Sequence, residues 1–164
     1  MKMAAVYLGI GTNLGERLKN TRAAINKLSA LGEIKATSSV WETEPWGYKN
    51  QPRFLNCALL LETQISPSEL LGEIQHIEKQ LGRKRGPKFG PRLIDIDILF
   101  YNFLILNEPN LTIPHPKLLQ RKFILAPLAE IAPNLNHPVL HKSINDLLRD
   151  LKDSGEYCKI FTKA

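Results

Sequence analysis

Leu93-Ile94-Asp95-Ile96-Asp97-Ile98-Leu99 sets acids between apolar residues at every second place. Side chains alternate across a strand. This run therefore sends Ile94, Ile96 and Ile98 into a core and projects Asp95 and Asp97 from the opposite face. Working upstream, Ser66 before Pro67, with Glu69 three residues on, has the form of a helix start closed by a capping box. Leu70, Leu71, Ile74, Ile77 and Leu81 supply that helix's apolar face, and Gly82 stops it. Residues 53–63 and 34–41 read as strands, joined by a polar loop holding Pro45, Gly47 and Pro52. Residues 16–31 carry a helical stripe at Leu18, Ala24, Ile25, Leu28 and Leu31, ended by Gly32. Val6-Tyr7-Leu8-Gly9-Ile10 is a short strand running into the turn Gly11-Thr12-Asn13. Downstream, residues 100–106 read as a further strand. A Pro-rich stretch follows, then a helix over 143–151 capped by Ser143, and a last strand near 157–161.

Through residue 99 the order is strand, helix, strand, strand, helix, strand. That is an α+β, ferredoxin-like αβ sandwich: a mainly antiparallel sheet with helices packed on its faces. No repeat or Gly/Ser linker divides the 164 residues, so residues 1–164 are expected to form a single domain. With 43% hydrophobic residues the chain can build a sizeable core. The two cysteines, Cys57 and Cys158, make neither a disulfide framework nor a Cys-x-x-Cys pair. No apolar run approaches the roughly 20 residues of a bilayer span, and Gly9 and Gly11 interrupt any signal-like segment. A cytoplasmic protein with no membrane partner is expected.

The net charge of +6 is local. Arg83, Lys84, Arg85, Lys88 and Arg92 lie within ten residues that hold no acid; setting these five aside from the 22 basic residues leaves 17 against 16 acids. A concentrated basic loop favours a compact anion such as a phosphate chain over loose polyanion binding. Two prolines and two glycines between Arg85 and Arg92 make the segment a loop, and its cations would repel one another without an anion. Immediately after it come Asp95 and Asp97, about 7 Å apart along a strand. Two such carboxylates repel unless a cation lies between them or one is protonated, and hard oxygen ligands suit Mg²⁺. Acids for Mg²⁺ beside arginines for phosphate oxygens are what phosphoryl transfer needs.

Other features carry less. Gly9-Ile10-Gly11-Thr12-Asn13-Leu14-Gly15 places its third glycine one residue too late for a dinucleotide fingerprint, and no parallel βαβ series follows. Gln75 and Glu78 share a helix face, which is ordinarily a solvated one. Phe54 and Asn56 share a strand face and could cradle a flat heterocycle. His115 lies between Pro114 and Pro116, while His137 and His141 flank Pro138 and make no helical metal pair.

Together these residues resemble the 6-hydroxymethyl-7,8-dihydropterin pyrophosphokinases, enzymes of folate biosynthesis. The resemblance runs along nearly the whole chain. It rests on Leu8–Gly15, Thr43-Glu44-Pro45-Trp46-Gly47, Gln51-Pro52-Arg53-Phe54-Leu55-Asn56, Gln75-His76-Ile77-Glu78, Gly90-Pro91-Arg92-Leu93-Ile94-Asp95-Ile96-Asp97, Ile113-Pro114-His115-Pro116, and Arg121-Lys122-Phe123 leading into Pro127–Pro133. Gly-Pro-Arg-x-x-Asp-x-Asp is the most distinctive piece. The resemblance implies transfer of the β,γ-pyrophosphoryl group of ATP to the hydroxymethyl oxygen of 6-hydroxymethyl-7,8-dihydropterin, releasing AMP. It implies that Asp95 and Asp97 hold two Mg²⁺ ions, that Arg83 and Arg92 contact the phosphates, and that the basic loop closes over ATP. Gln75, Glu78, Ile98, Thr112, His115 and Arg121 match nucleotide-side positions. Thr43, Glu44, Trp46, Phe54, Asn56 and Phe123 match the pterin pocket, with Phe54 and Phe123 sandwiching the ring. Many relatives carry Tyr at position 54, Trp at 89 and Leu at 46, and some carry Arg at 110, where this chain has Asn.

Two other readings stay open on the residues alone. An ordinary ATP-dependent kinase could use the same acids and arginines and would release ADP. A nucleic-acid module could use the basic loop, though aromatics make up only 7% of the chain and the loop offers Phe89 alone. The expectation is small-molecule substrates, no nucleic acid, and a monomer or weak homodimer.

Overall fold

The computed structural model describes residues 2–151 and 155–164. The elements run β1 (Ala4–Thr12), α1 (Arg17–Leu28), β2 (Glu33–Thr37), β3 (Val40–Thr43), β4 (Phe54–Thr63), α2 (Pro67–Gln80), β5 (Asp95–Tyr101), β6 (Leu106–Glu108), β7 (Leu111–Ile113), α3 (Lys122–Ile131), α4 (Ile144–Asp150) and β8 (Cys158–Thr162). The main sheet has the order β5-β1-β4-β3-β8, and β2 also pairs with β4, beside the stretch that β3 leaves free. All its pairings are antiparallel. An antiparallel sheet under helices is the expected α+β class.

The sheet's two faces bury different helices. Val6, Leu8 and Ile10 of β1, Leu59 and Leu61 of β4, and Ile96 and Ile98 of β5 meet α1 and α2 through Ala24, Leu28, Leu70, Ile74 and Ile77. On the other face, Ala58, Leu99 and Phe100 meet α3 and α4 through Leu125, Leu128, Ile144 and Leu147. A register shift between Tyr7 and Leu8 lets this happen: Leu8 pairs with Ile98 but Tyr7 pairs with Phe100, so Leu99 is an extra residue. A bulge of this kind puts two successive side chains on one face, which plain alternation forbids. Leu99 and Phe100 thus both enter the second core. Asp95 and Asp97, earlier on the same face of β5, are only partly buried.

Several sequence expectations shift. Residues 34–41 form two strands, because Ser38 and Ser39 turn inward: the Ser38 hydroxyl accepts from Ala58 N–H, and both Ser39 groups donate to the Glu130 carboxylate. Residues 100–106 are not a separate strand. The bulge carries β5 on to Tyr101, and the chain then turns at Asn102, whose φ is 49°. The Pro-rich stretch conceals α3, which tolerates Pro127 in its interior because apolar neighbours bury nearly all of that turn. The capping box at Ser66 forms only in part: its hydroxyl bonds the Glu69 carboxylate at 2.9 Å, and no side chain caps the backbone. At α4 the expected cap is present, Ser143 Oγ accepting from Asp146 N–H.

Leu59 is fully buried at the centre of the sheet, against the α1–α2 layer. Leu59→Ala is expected to lower unfolding stability by about 2–5 kcal/mol in urea titration, through lost burial plus a residual cavity.

Candidate active site

On the partly covered face, the sheet register sets functional residues in rows. Asp95 pairs with Gly11, which pairs with Asn56; one step along, Asp97 pairs with Gly9. Phe54 pairs with Thr43. Two glycines at alternate positions therefore strip β1 of side chains between the acids of β5 and the amide and ring of β4, making the floor of a cleft. A Cβ at Gly11 would lie 2.7 Å from Asn56 Oδ1. Asn56 is buried and donates to Thr43 Oγ1 at 2.7 Å, which fixes the orientation of its amide.

The basic loop forms one wall, tied down by Asn13. This residue is 2% exposed; its Oδ1 accepts from Arg92 N–H, and its amide donates to Gln51 Oε1 and Pro52 O. Loops 44–53 and 83–92 are thus pinned to one side chain. They also touch through rings: Phe89 meets Trp46 edge-on with centroids 5.0 Å apart, and packs on Gly47, whose φ of 83° suits glycine.

The cations are not an unpartnered cluster. Arg83 bonds Glu78 and lies 3.0 Å from Asp95 Oδ1. Burial opposes its charge, but Asp95 and Glu78 outweigh that and raise its pKa. Arg92 folds onto its own loop, donating to Pro87 O at 3.1 Å. Arg121 has its guanidinium 4.8 Å over Trp46 and 5.4 Å from Phe123, and its Nε is buried without a partner among the described residues. Burial lowers its pKa while Asp97 and Asp95 pull the other way.

At the acidic end, burial and the neighbouring Asp95 push the Asp97 carboxyl well above the usual range. His115 Nε2 lies 4.0 Å from Asp97 Oδ2, and its Nδ1 accepts from Lys117 N–H, which assigns the ring proton to Nε2. Burial, with Arg121 adding to it, lowers this imidazole to about 4, so it is neutral near pH 7. No group of three or more His, Cys, Asp or Glu converges among the described residues. Two carboxylates that destabilise each other's charge, beside an unpartnered guanidinium nitrogen, fit Mg²⁺ arriving with phosphates, which completes its shell from substrate oxygens and water.

Of the residues singled out from sequence, Thr43, Glu44, Trp46, Phe54, Asn56, Arg83, Arg92, Asp95, Asp97, Arg121 and Phe123 line one cleft. Gln75 and Glu78 border an adjoining groove that shares Arg83 and Arg92. Ile98 is turned into the α1–α2 core and offers a ligand only its backbone, on the edge of β5. Thr112 lies on the β6–β7 hairpin, outside both hollows. Glu78 is not solvated as expected: it is 6% exposed and accepts from Ile96 N–H as well as Arg83. Its place four residues after Ile74, on the apolar stripe, was the available signal. Gly9, Gly11, Asn13 and Gln51 were missed as site-builders, because a missing side chain and a loop-tying amide have no charge signature.

Residues 7–133 match the family model described as 7,8-dihydro-6-hydroxymethylpterin-pyrophosphokinase. The chain belongs to this family. It is 45% identical over 144 residues to the 2-amino-4-hydroxy-6-hydroxymethyldihydropteridine pyrophosphokinase of Aquifex aeolicus, covering 88% of this chain and 90% of that one. To the protein of the same name from Bacillus subtilis it is 42% identical, over 76% of each chain. It also matches the folic acid synthesis protein FOL1 of Dictyostelium discoideum at 41% identity, spanning 92% of this chain but only 23% of that longer one. Among solved structures, wild-type Plasmodium falciparum HPPK-DHPS with pteroate superposes with a TM-score of 0.74 at 19% identity. That match covers 90% of this chain and 44% of the other, and it shows the shared ferredoxin-like fold. As a pyrophosphokinase of this family, the chain transfers pyrophosphate from ATP to hydroxymethyldihydropterin in folate synthesis. No helix among the described residues is long and apolar enough to cross a membrane.

Two outcomes follow. Gly11→Ala forces Asn56 to move and is expected to raise the pterin KM at least about tenfold in a steady-state assay, as small displacements of positioning groups do. Cys57 lies beside Asn56 on β4 but turns into the α1–α2 core, where it is 2% exposed, and burial pushes its thiol up to about 12. Iodoacetamide at pH 8 should therefore modify Cys57 only under unfolding conditions, as read by intact-protein mass.

Proposed function

We propose that the cleft divides into a Mg·ATP end at Asp95 and Asp97 and a pterin end at Phe54, Asn56 and Phe123, with the 164 residues working as one domain. The observation that carries this reading is the row Asp95–Gly11–Asn56, which sets metal-type and heterocycle-type ligands on one sheet face across a bare strand. Asp95 and Asp97 would hold two Mg²⁺ ions, which supply neutralisation of phosphate charge and polarisation of the transferred group. Arg83, Arg92 and Arg121 contact phosphate oxygens, and Arg92 takes up charge that develops during transfer. Gln75, Glu78, Ile98, Thr112 and His115 lie on the nucleotide side, with Glu78 acting through its hold on Arg83 and β5. The neutral His115 directs its Nε2–H toward Asp97 and steadies that carboxylate.

At the other end, Phe54 and Phe123 flank the flat ring, while Asn56, Thr43 and the backbone of Glu44 and Trp46 read its polar edge. Closing the 83–92 loop over the nucleotide excludes water, which would otherwise compete for the pyrophosphoryl group. The chain is proposed to work in the cytoplasm, as a monomer or weak homodimer, with ATP and 6-hydroxymethyl-7,8-dihydropterin as its substrates.

With ATP, Mg²⁺ and the reduced pterin, chromatography is expected to detect AMP and the pterin diphosphate; ADP as the nucleotide product would sink the assignment. Asp97→Ala should lower turnover at least about 10²–10³-fold, the scale of losing one electrostatic group at a reacting centre, while the melting temperature is held or raised. Stripping divalent cations with EDTA should stop the wild-type reaction, and added Mg²⁺ should restore it.

A further inference from the structure

Tyr157 immediately precedes β8 and touches both ends of the loop that joins β3 to β4. At the first end, Glu44 N–H donates to Tyr157 O at 3.0 Å, and Tyr157 N–H donates to the Glu44 carboxylate at 2.8 Å. The first of these bonds continues the β3–β8 ladder, in which Thr43 pairs with Cys158, and the second adds the side chain of Glu44. At the second end, the Arg53 guanidinium lies 3.6 Å over the Tyr157 ring. The next residues inward are Thr43 and Phe54, which pair with each other, and Thr43 Oγ1 accepts from the Asn56 amide.

The bond from Tyr157 is the main reason that the Glu44 carboxyl is held below its ordinary range, and Lys49 adds to it from 3.5 Å. Glu44 therefore spends its charge inside the scaffold. Arg53 is fixed a second way, by Glu42 Oε1 at 3.6 Å, and its carbonyl accepts from Arg17.

We propose that Tyr157 is a positioning residue for the pterin end of the cleft: a clasp on loop 44–53 that sets Thr43, Asn56 and Phe54 without touching substrate. A guanidinium stacked on a ring resists sliding, and one backbone bond with a second to the Glu44 carboxylate resists rotation, so the loop's ends keep a fixed separation. Asp95 and Asp97 lie on β5, Arg83 and Arg92 on loop 83–92 and Arg121 just before α3; among the described residues Tyr157 bonds none of them directly. The clasp thus acts directly on the pterin end and reaches the nucleotide loop only at second hand, through Asn13, Gln51 and the Trp46–Phe89 contact. It rests on the pterin assignment made above.

The test is steady-state kinetics of the full chain, reading the KM for each substrate, with melting temperatures alongside. Tyr157→Ala is expected to raise the pterin KM about two- to tenfold, the scale of a lost cation–π contact, with a clearly smaller change in the ATP KM. Tyr157→Phe keeps ring and backbone and should match wild type. Arg53→Ala should reproduce Tyr157→Ala, and the double variant should be no worse than either. The clasp is overturned by an unchanged pterin KM, by equal rises in both KM values, by Tyr157→Phe behaving as Ala, or by fully additive effects. Should Tyr157→Ala fail to fold, Arg53→Ala and Tyr157→Phe still decide. Asn56→Ala runs in parallel: if it raises the pterin KM and Tyr157→Ala does not, the clasp alone falls. If Asn56→Ala leaves that KM unchanged, the pterin pocket itself is misassigned and the clasp falls with it.

Discussion

The buried carboxylate of Glu78 is the contact on which the acidic end of the cleft depends. A charge at 6% exposure is costly unless charge-assisted partners surround it, and here burial raises its pKa despite Ile96 N–H and the Arg83 guanidinium. Those two partners tie it to the acid pair. Ile96 N–H lies between Asp95 and Asp97, so Glu78 fixes the backbone that carries both acids. Arg83 in turn bridges to Asp95. One side chain on α2 thereby sets the spacing of the acid pair and holds a phosphate-type cation beside it.

A second constraint is the uneven cover over the sheet. The Leu99 bulge marks a border on one face: beyond it the side chains belong to the α3–α4 core, and before it they face the cleft. Without the bulge, alternation would send Phe100 to the α1–α2 side and leave α3 without its central contact. The same strand therefore both closes a core and opens a site.

Much of this was legible from residues. The β5 alternation gave the core face and the acid face correctly, and Ser66-Pro67 placed the start of α2. The limits have physical causes. Pro127 sits inside α3, where tertiary burial overrides a residue that ordinarily breaks helices. Ser38 and Ser39 divide a continuous strand pattern because their hydroxyls find partners on β4 and α3, which no local rule reveals. The basic loop read as a cluster in need of an anion, yet Arg83 already has Glu78 and Asp95, contacts across 5 and 12 residues respectively. Glycines 9 and 11 read as a failed nucleotide fingerprint, and their meaning emerged only once β4 and β5 stood on either side.

Trp46 has a consequence of its own. The chain holds two tryptophans, and they live in different optical environments. Trp41 is tethered through its indole N–H to Glu130, at the α3 side of β3. Trp46 stands in the cleft with Arg121 and Lys117 over its ring and Phe89 against its edge. Cations and ring contacts of this kind alter indole emission, so the cleft carries a built-in chromophore, while Trp41 reports from outside it.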